Sequence, residues 1–180
     1  QQNFNNSYKK AWNKIEQAGK NEANTLESVR ELSAGNTLRN YVKNKKEMII
    51  KISKQQCEAL TKHMEYLAEL KNLDKAARTY TKEEKRARNI VPVALGKVQE
   101  LGYGGYREQL MQLPDETRKQ YAYNRRAIAS TSELNRLIDG RRSALEIKQA
   151  LDAQYNRSTE LTAVVNYLEL LQEAGLVRLN

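Results

Sequence analysis

Ser143 stands three residues before Glu146, the spacing of a reciprocal capping box, and Gly175 closes the apolar run that follows. In a capping box the hydroxyl accepts from one orphan helix N–H while the carboxylate accepts from another. A helix is therefore predicted over SALEIKQALDAQY, with a break at Asn156-Arg157-Ser158. Leu161, Val164, Val165, Leu168 and Leu171 then recur at helical spacing. Gly175 falls where a helix end wants a left-handed residue, and Leu176-Val177-Arg178-Leu179 beyond it predicts a short strand. Helix, turn, helix and strand within forty residues leave few ways to bury one apolar face.

Two longer helical runs occupy the other end of the chain. Phe4, Tyr8, Trp12, Ile15, Ala18, Leu26, Val29 and Leu32 follow steps near three and four, with Gly19 as an expected weak point. After a break at Ala34-Gly35-Asn36 a second series runs Leu38, Val42, Ile49, Ile52, Leu60, Leu67 and Leu70, with Lys45, Gln56 and His63 in the same seam. Two runs of similar length joined by a short turn predict an antiparallel helical hairpin. Each carries one narrow apolar stripe, so the hairpin is expected to lean on a further surface through its Trp12 and Ile49 side.

Between these ends the chain turns polar. Thr81 is a candidate cap for a short helix over KEEKRAR, and Pro92 biases NIVPVAL toward an extended form. GYGGY at 102–106 is expected to be a loop with two aromatic anchors. Pro114-Asp115 suits the first turn of a helix over 115–128, and Ser130-Thr131-Ser132 precedes another at Glu133–Ile138. Asp139-Gly140 makes the turn into Ser143. The expected organisation is a helical hairpin with a charged linker helix over 1–89 and a small winged-helix-like domain over 90–180. The fold class is mainly α with minor β.

The net charge of +9 raises the question of nucleic acid, and its distribution answers in part. Residues 131–180 hold six basic and seven acidic side chains, so the positive excess lies in the remainder of the chain. On the second helix of the C-terminal pair, Glu160, Thr162, Ala163, Asn166, Glu169 and Glu173 are expected to face away from the apolar stripe. Carboxylates there would repel phosphates. Arg157 suits a phosphate contact and Asn166 could read adenine. The basic runs KNKKEMIIKISK at 43–54 and KEEKRAR at 82–88 are interleaved with acids, the pattern of a solvated helix face.

Chemistry-bearing residues are sparse. Cys57 is the sole cysteine, which excludes an internal disulfide, and its place on an apolar side predicts a packed thiol. His63 is the sole histidine, and Glu58 and Glu65 do not share its helix face. No metal ligand set, nucleophile elbow or phosphate loop is legible, so no catalytic, cofactor-binding or metal residue is assigned. Carboxylate pairs such as Glu83-Glu84 sit in charged, solvent-facing runs. No apolar stretch is long enough to span a membrane.

From Ala87 to Asn180 the sequence resembles the C-terminal extension of bacterial co-catalytic zinc aminopeptidases. NIVPVAL is similar to the link leaving the helical region, ELNRLIDGRRSALEIKQAL to the helix, Asp-Gly turn and capped helix, and VVNYLELLQEAGLVRL to the closing helix and strand. The peptide-binding domain of pyrroloquinoline quinone biosynthesis shares such turns. The family's Gly-Pro-Leu after the link is replaced here by Leu95-Gly96 and GYGGY. Its two-zinc site needs a set of His, Asp and Glu ligands, and this chain has one histidine, so no catalytic residue carries over. The resemblance implies a non-catalytic scaffold or protein-interaction region, the tail of a larger peptidase-like protein in a secreted or periplasmic setting, with a protein partner or the catalytic domain beside it. The alternative is a winged-helix nucleic-acid binder that uses the basic hairpin as a clamp.

Overall fold

The computed structural model describes residues 1–31, 35–96, 98, 106–155 and 157–180. Among these are eight helices and two short strands. Helix α1 spans Gln2–Glu31 and α2 Asn36–Leu70; α3 is Lys82–Arg88 and β1 Pro92–Ala94. Then come α4 (Tyr106–Met111), α5 (Asp115–Ala127), α6 (Thr131–Arg136), α7 (Ala144–Tyr155), α8 (Leu161–Glu173) and β2 (Val177–Leu179). The protein is mainly α, with a long helical hairpin and a minimal sheet. Leu32, Ala34, Asn156 and the first four residues of GYGGY lie outside the described residues; Tyr106 opens α4.

Contacts divide the chain into Gln1–Thr79 and Tyr80–Asn180. Helix α3 therefore belongs with the C-terminal unit and not with the hairpin, where the expected 89/90 boundary had placed it. Ala87 explains why: it is fully buried in the core of that second unit.

In the N-terminal unit α1 and α2 pack along their length as an antiparallel pair. The Tyr8 hydroxyl meets Thr61 Oγ1 at 2.8 Å, Ser53 Oγ donates to the Ile15 carbonyl at 3.2 Å, and Lys46 Nζ reaches Glu27 at 2.9 Å. The partner's number falls as the first rises. Tyr8 and Ala23 on α1, with Val42, Cys57, Met64 and Ala68 on α2, form the buried seam. This seam is offset from the expected one. Gln56, His63, Leu38, Ile52 and Leu70 are exposed, as is Ala18. Gly19 is not a weak point but a close approach, since a β-carbon built there would lie 2.5 Å from Ser53 Cβ. Packing at that crossing chose which apolar stripe turned inward; periodicity alone offered more than one.

After α2, Asn72 takes a left-handed conformation (φ 49°) and the chain runs back along α1. The Ala77 amide donates to Asn5 Oδ1 at 3.1 Å and Lys9 Nζ to the Thr79 carbonyl at 3.0 Å. The Arg78 guanidinium lies 3.6 Å from the centroid of the Trp12 ring, whose other neighbour, Tyr8, meets it edge-on at 6.0 Å. Asn5, Lys9 and Trp12 share one α1 face at helical spacing, which is why three successive contacts fasten one extended segment.

The C-terminal unit is built around α8, whose Ala163, Val164, Val165, Tyr167, Leu168, Leu170 and Leu171 are all buried. Helix α7 contributes Ala144, Leu145, Ile147, Ala150 and Leu151. Burying a side chain of this size stabilises by about 1.5–3 kcal/mol, so this cluster dominates the unit. The tyrosine hydroxyl of Tyr167 donates to Asn135 Oδ1 at 3.1 Å inside the core, and its ring stacks on Tyr121 at 5.7 Å. Strands β1 and β2 pair antiparallel with Val93 opposite Arg178, joining the start of the unit to its end.

Local signals locate the turns. Thr81 and Glu84 form a capping box at α3, and Ser143 and Glu146 form another at α7. Asp139 accepts from the amides of Arg141 and Arg142, both at 2.9 Å, beside Gly140 at φ +73°. The Ala144 amide then donates to the Ile90 carbonyl at 2.8 Å, fastening this turn to the chain entering β1. Gly175 takes φ +69° after α8, and Leu176 folds into the core behind it.

Candidate interaction surface

Helix α2 carries two apolar stripes, and only one is covered. At 100° per residue, Tyr41, Met48, Ile52, Ala59, Tyr66 and Leu70 fall within about 20° of a single line along the helix. All six are exposed. Tyr41 is 56% exposed, Met48 51%, Ile52 46%, Tyr66 57% and Leu70 63%, values far from those of ordinary core positions. The line is about 44 Å long at 1.5 Å per residue. A shallow depression lined by Asn44, Glu47, Met48, Lys51, Ile52 and Gln55 marks its N-terminal half. Lys45 lies beside it, its ammonium 5.4 Å from the Tyr41 ring centroid.

This is not the side expected from sequence. Trp12, half-buried, already has Arg78 across its face and Tyr8 at its edge. Ile49 is half-buried as well, at the margin of the α1–α2 seam. Ile52, expected inside, belongs to the exposed line. A helix of 35 residues packed against one neighbour has room for two stripes, and sequence cannot say which one the neighbour takes.

Charge is unevenly distributed along the same helix. Residues 36–54 hold Arg39, Lys43, Lys45, Lys46, Lys51 and Lys54 against Glu47 alone, whereas residues 55–70 hold Glu58, Glu65 and Glu69 against Lys62. Helices α3 and α5 place acids in the first turn and bases in the last, complementing the helix dipole. Helix α2 has neither and runs the opposite way along its body.

The other residues singled out by sequence are scattered. Cys57 is buried, and burial, followed by the nearby Glu16 carboxylate, pushes its thiol above the ordinary range. His63, Glu58 and Glu65 are exposed on α2. The Arg157 guanidinium donates to the Arg126 carbonyl at 3.2 Å, satisfying the end of α5. Ala163 is buried and not on the outer face, and Asn166 is half-buried. The exposed strip of α8 is left with Thr162, Glu169, Gln172 and Glu173, and Glu169 is paired with Arg86 at 2.8 Å. Among the described residues no three His, Cys, Asp or Glu side chains come together in a group that could hold a metal ion. None of their helices is long and apolar enough to cross a membrane.

Comparison with protein-family models, with curated proteins and with solved structures finds no match to this chain.

Proposed function

We propose that the protein is a non-catalytic interaction module whose docking face is the exposed apolar line on α2. One observation carries it: six apolar or aromatic-bearing positions, Tyr41 to Leu70, share a line that the hairpin's own packing leaves uncovered. Isolated exposed hydrophobes need no explanation, but a contiguous line of them on one helix is the usual mark of an interface. Tyrosine and methionine are well suited to it, being large, adaptable and tolerant of partial solvation.

The resemblance of the C-terminal unit to peptidase extensions is compatible with this role. It adds the expectation of a winged-helix-like adaptor working beside a zinc-bearing neighbour domain. Nucleic-acid binding through α8 has less support. Groove insertion needs a protruding helix with basic or amide side chains, and α8 is buried on most of its circumference with two carboxylates on the remainder.

The test is a pair of charge insertions. Met48→Glu and Ile52→Glu should each change unfolding stability by no more than about 0.5 kcal/mol, the ordinary range for surface sites. They should also slow or abolish binding of an apolar fluorescent dye to the protein. A loss of several kcal/mol would show that the line is part of the core and end the proposal.

A further inference from the structure

We infer that the occupant of the α2 line is a second copy of this chain, docked with its α2 antiparallel to the first. The inference rests on the interaction role proposed above and names its partner. The argument is charge complementarity. Of the charges that flank the line, Lys45 and Lys51 lie in its N-terminal half with Glu47, and Glu58, Glu65 and Glu69 lie in its C-terminal half with Lys62. An antiparallel pair therefore sets the more basic half of each copy along the more acidic half of the other. A parallel pair would instead align the two basic halves, and like charges brought together oppose association.

Within the flank of the line, Lys51, Glu58 and Glu65 recur every seven residues. Flanking positions of this kind meet their own counterparts in an antiparallel two-stranded coil, which sets Lys51 of each copy toward Glu58 or Glu65 of the other. Lys45 and Gln55 lie about 40° to either side of the line and Lys62 about 60° away, so polar side chains border the apolar residues.

Size sets the expected strength. A contact about 44 Å long and about 10 Å wide covers roughly 440 Å² per copy, below the ~800 Å² per partner of a standard stable interface. The dimer should be weak and reversible.

Sedimentation velocity of the full chain between about 1 and about 200 µM should show a monomer–dimer equilibrium that weakens with added salt. Lys51→Glu, and separately Glu58→Lys with Glu65→Lys, should each weaken it at least about tenfold, and mixing the two variants in equal amounts should restore association. Oxidative cross-linking should join Tyr41→Cys chains to Tyr66→Cys chains in preference to Tyr41→Cys chains to one another. The reverse preference overturns the antiparallel arrangement, and a monomer at every concentration overturns self-association. In that last case the oxidation rate of Met48 separates the two ideas. A fast rate leaves the line open for a different partner. A slow rate, independent of concentration, means the chain covers it itself, and both ideas fall.

Discussion

Gly19 of α1 and Ser53 of α2 meet where the hairpin helices come closest, and the space between them is smaller than one methyl group. A β-carbon on Gly19 would lie 2.5 Å from both Cβ and Oγ of Ser53. Ser53 Oγ uses the proximity to donate to the Ile15 carbonyl at 3.2 Å. The crossing fixes how the two helices rotate against each other, and with it which face of α2 remains outside.

Gly19→Ala should therefore destabilise the hairpin despite alanine's better helix propensity. The propensity gain is about 1 kcal/mol, and overpacking costs about 1–3 kcal/mol when the obstructing atom is a β-carbon that cannot rotate away. Urea unfolding should show a net loss, and adding Ser53→Gly should recover most of it. A more stable Gly19→Ala protein would show that the helices can separate without cost.

The thiol of Cys57 should be unreactive. Burial raises its pKa above the ordinary 9.0, the Glu16 carboxylate adds to the effect, and the thiolate is the reacting species. Iodoacetamide should modify the folded protein at least about tenfold more slowly than a free cysteine at pH 8. Linkage gives the stability profile its sign. The folded pKa is raised, so the thiol's contribution is complete below 9.0 and is lost as pH rises through the folded value, because the unfolded chain ionises first. Cys57→Ala should flatten that alkaline decline.

Asp139 should make the C-terminal unit sensitive to acid. Burial alone would raise its pKa, but the amides of Arg142 and Arg141 and the Arg142 guanidinium outweigh burial and hold the carboxyl below 3.8. A depressed pKa stabilises above the unfolded value and the benefit disappears as pH falls through the folded one. Stability measured by denaturant titration should thus decline below about pH 4, and Asp139→Asn should shrink that decline. An unchanged acid limb in the variant would remove Asp139 from the account.

The two capping boxes should differ in worth. Ser143 is buried, and its amide donates to Glu146 Oε2 at 2.9 Å while its Oγ accepts from the Glu146 amide at 3.3 Å. Glu146→Ala strands a buried N–H and should cost about 1–3 kcal/mol. Glu84→Ala at the exposed Thr81 box leaves an N–H that water can satisfy, so about 0.5 kcal/mol is expected. Equal losses in thermal unfolding would contradict the burial difference.

Signals that act within one turn of chain were legible. Ser143 with Glu146, Thr81 with the KEEKRAR helix, Asp139-Gly140, Gly175 and the extended segment around Pro92 all stand where the sequence predicts them, because a cap or turn is satisfied by its own neighbours. The side of a long helix that meets a partner is a different kind of fact. Ile52 and His63 were expected in the hairpin seam and are exposed; Ala163 was expected outside and is buried. Arg157, a natural candidate for a phosphate, is engaged on the Arg126 carbonyl.

Sequence by itself determined the helical class, the hairpin and the ends of most elements. Each of these depends on spacing, on composition or on hydrogen bonds between near neighbours. The tertiary structure decided the rotation of α2, the membership of α3 in the C-terminal unit and the exposure of the Tyr41–Leu70 line. Those depend on close packing between residues far apart in the chain, where a glycine facing a serine admits one approach and the remaining apolar stripe has nothing left within the hairpin to cover it.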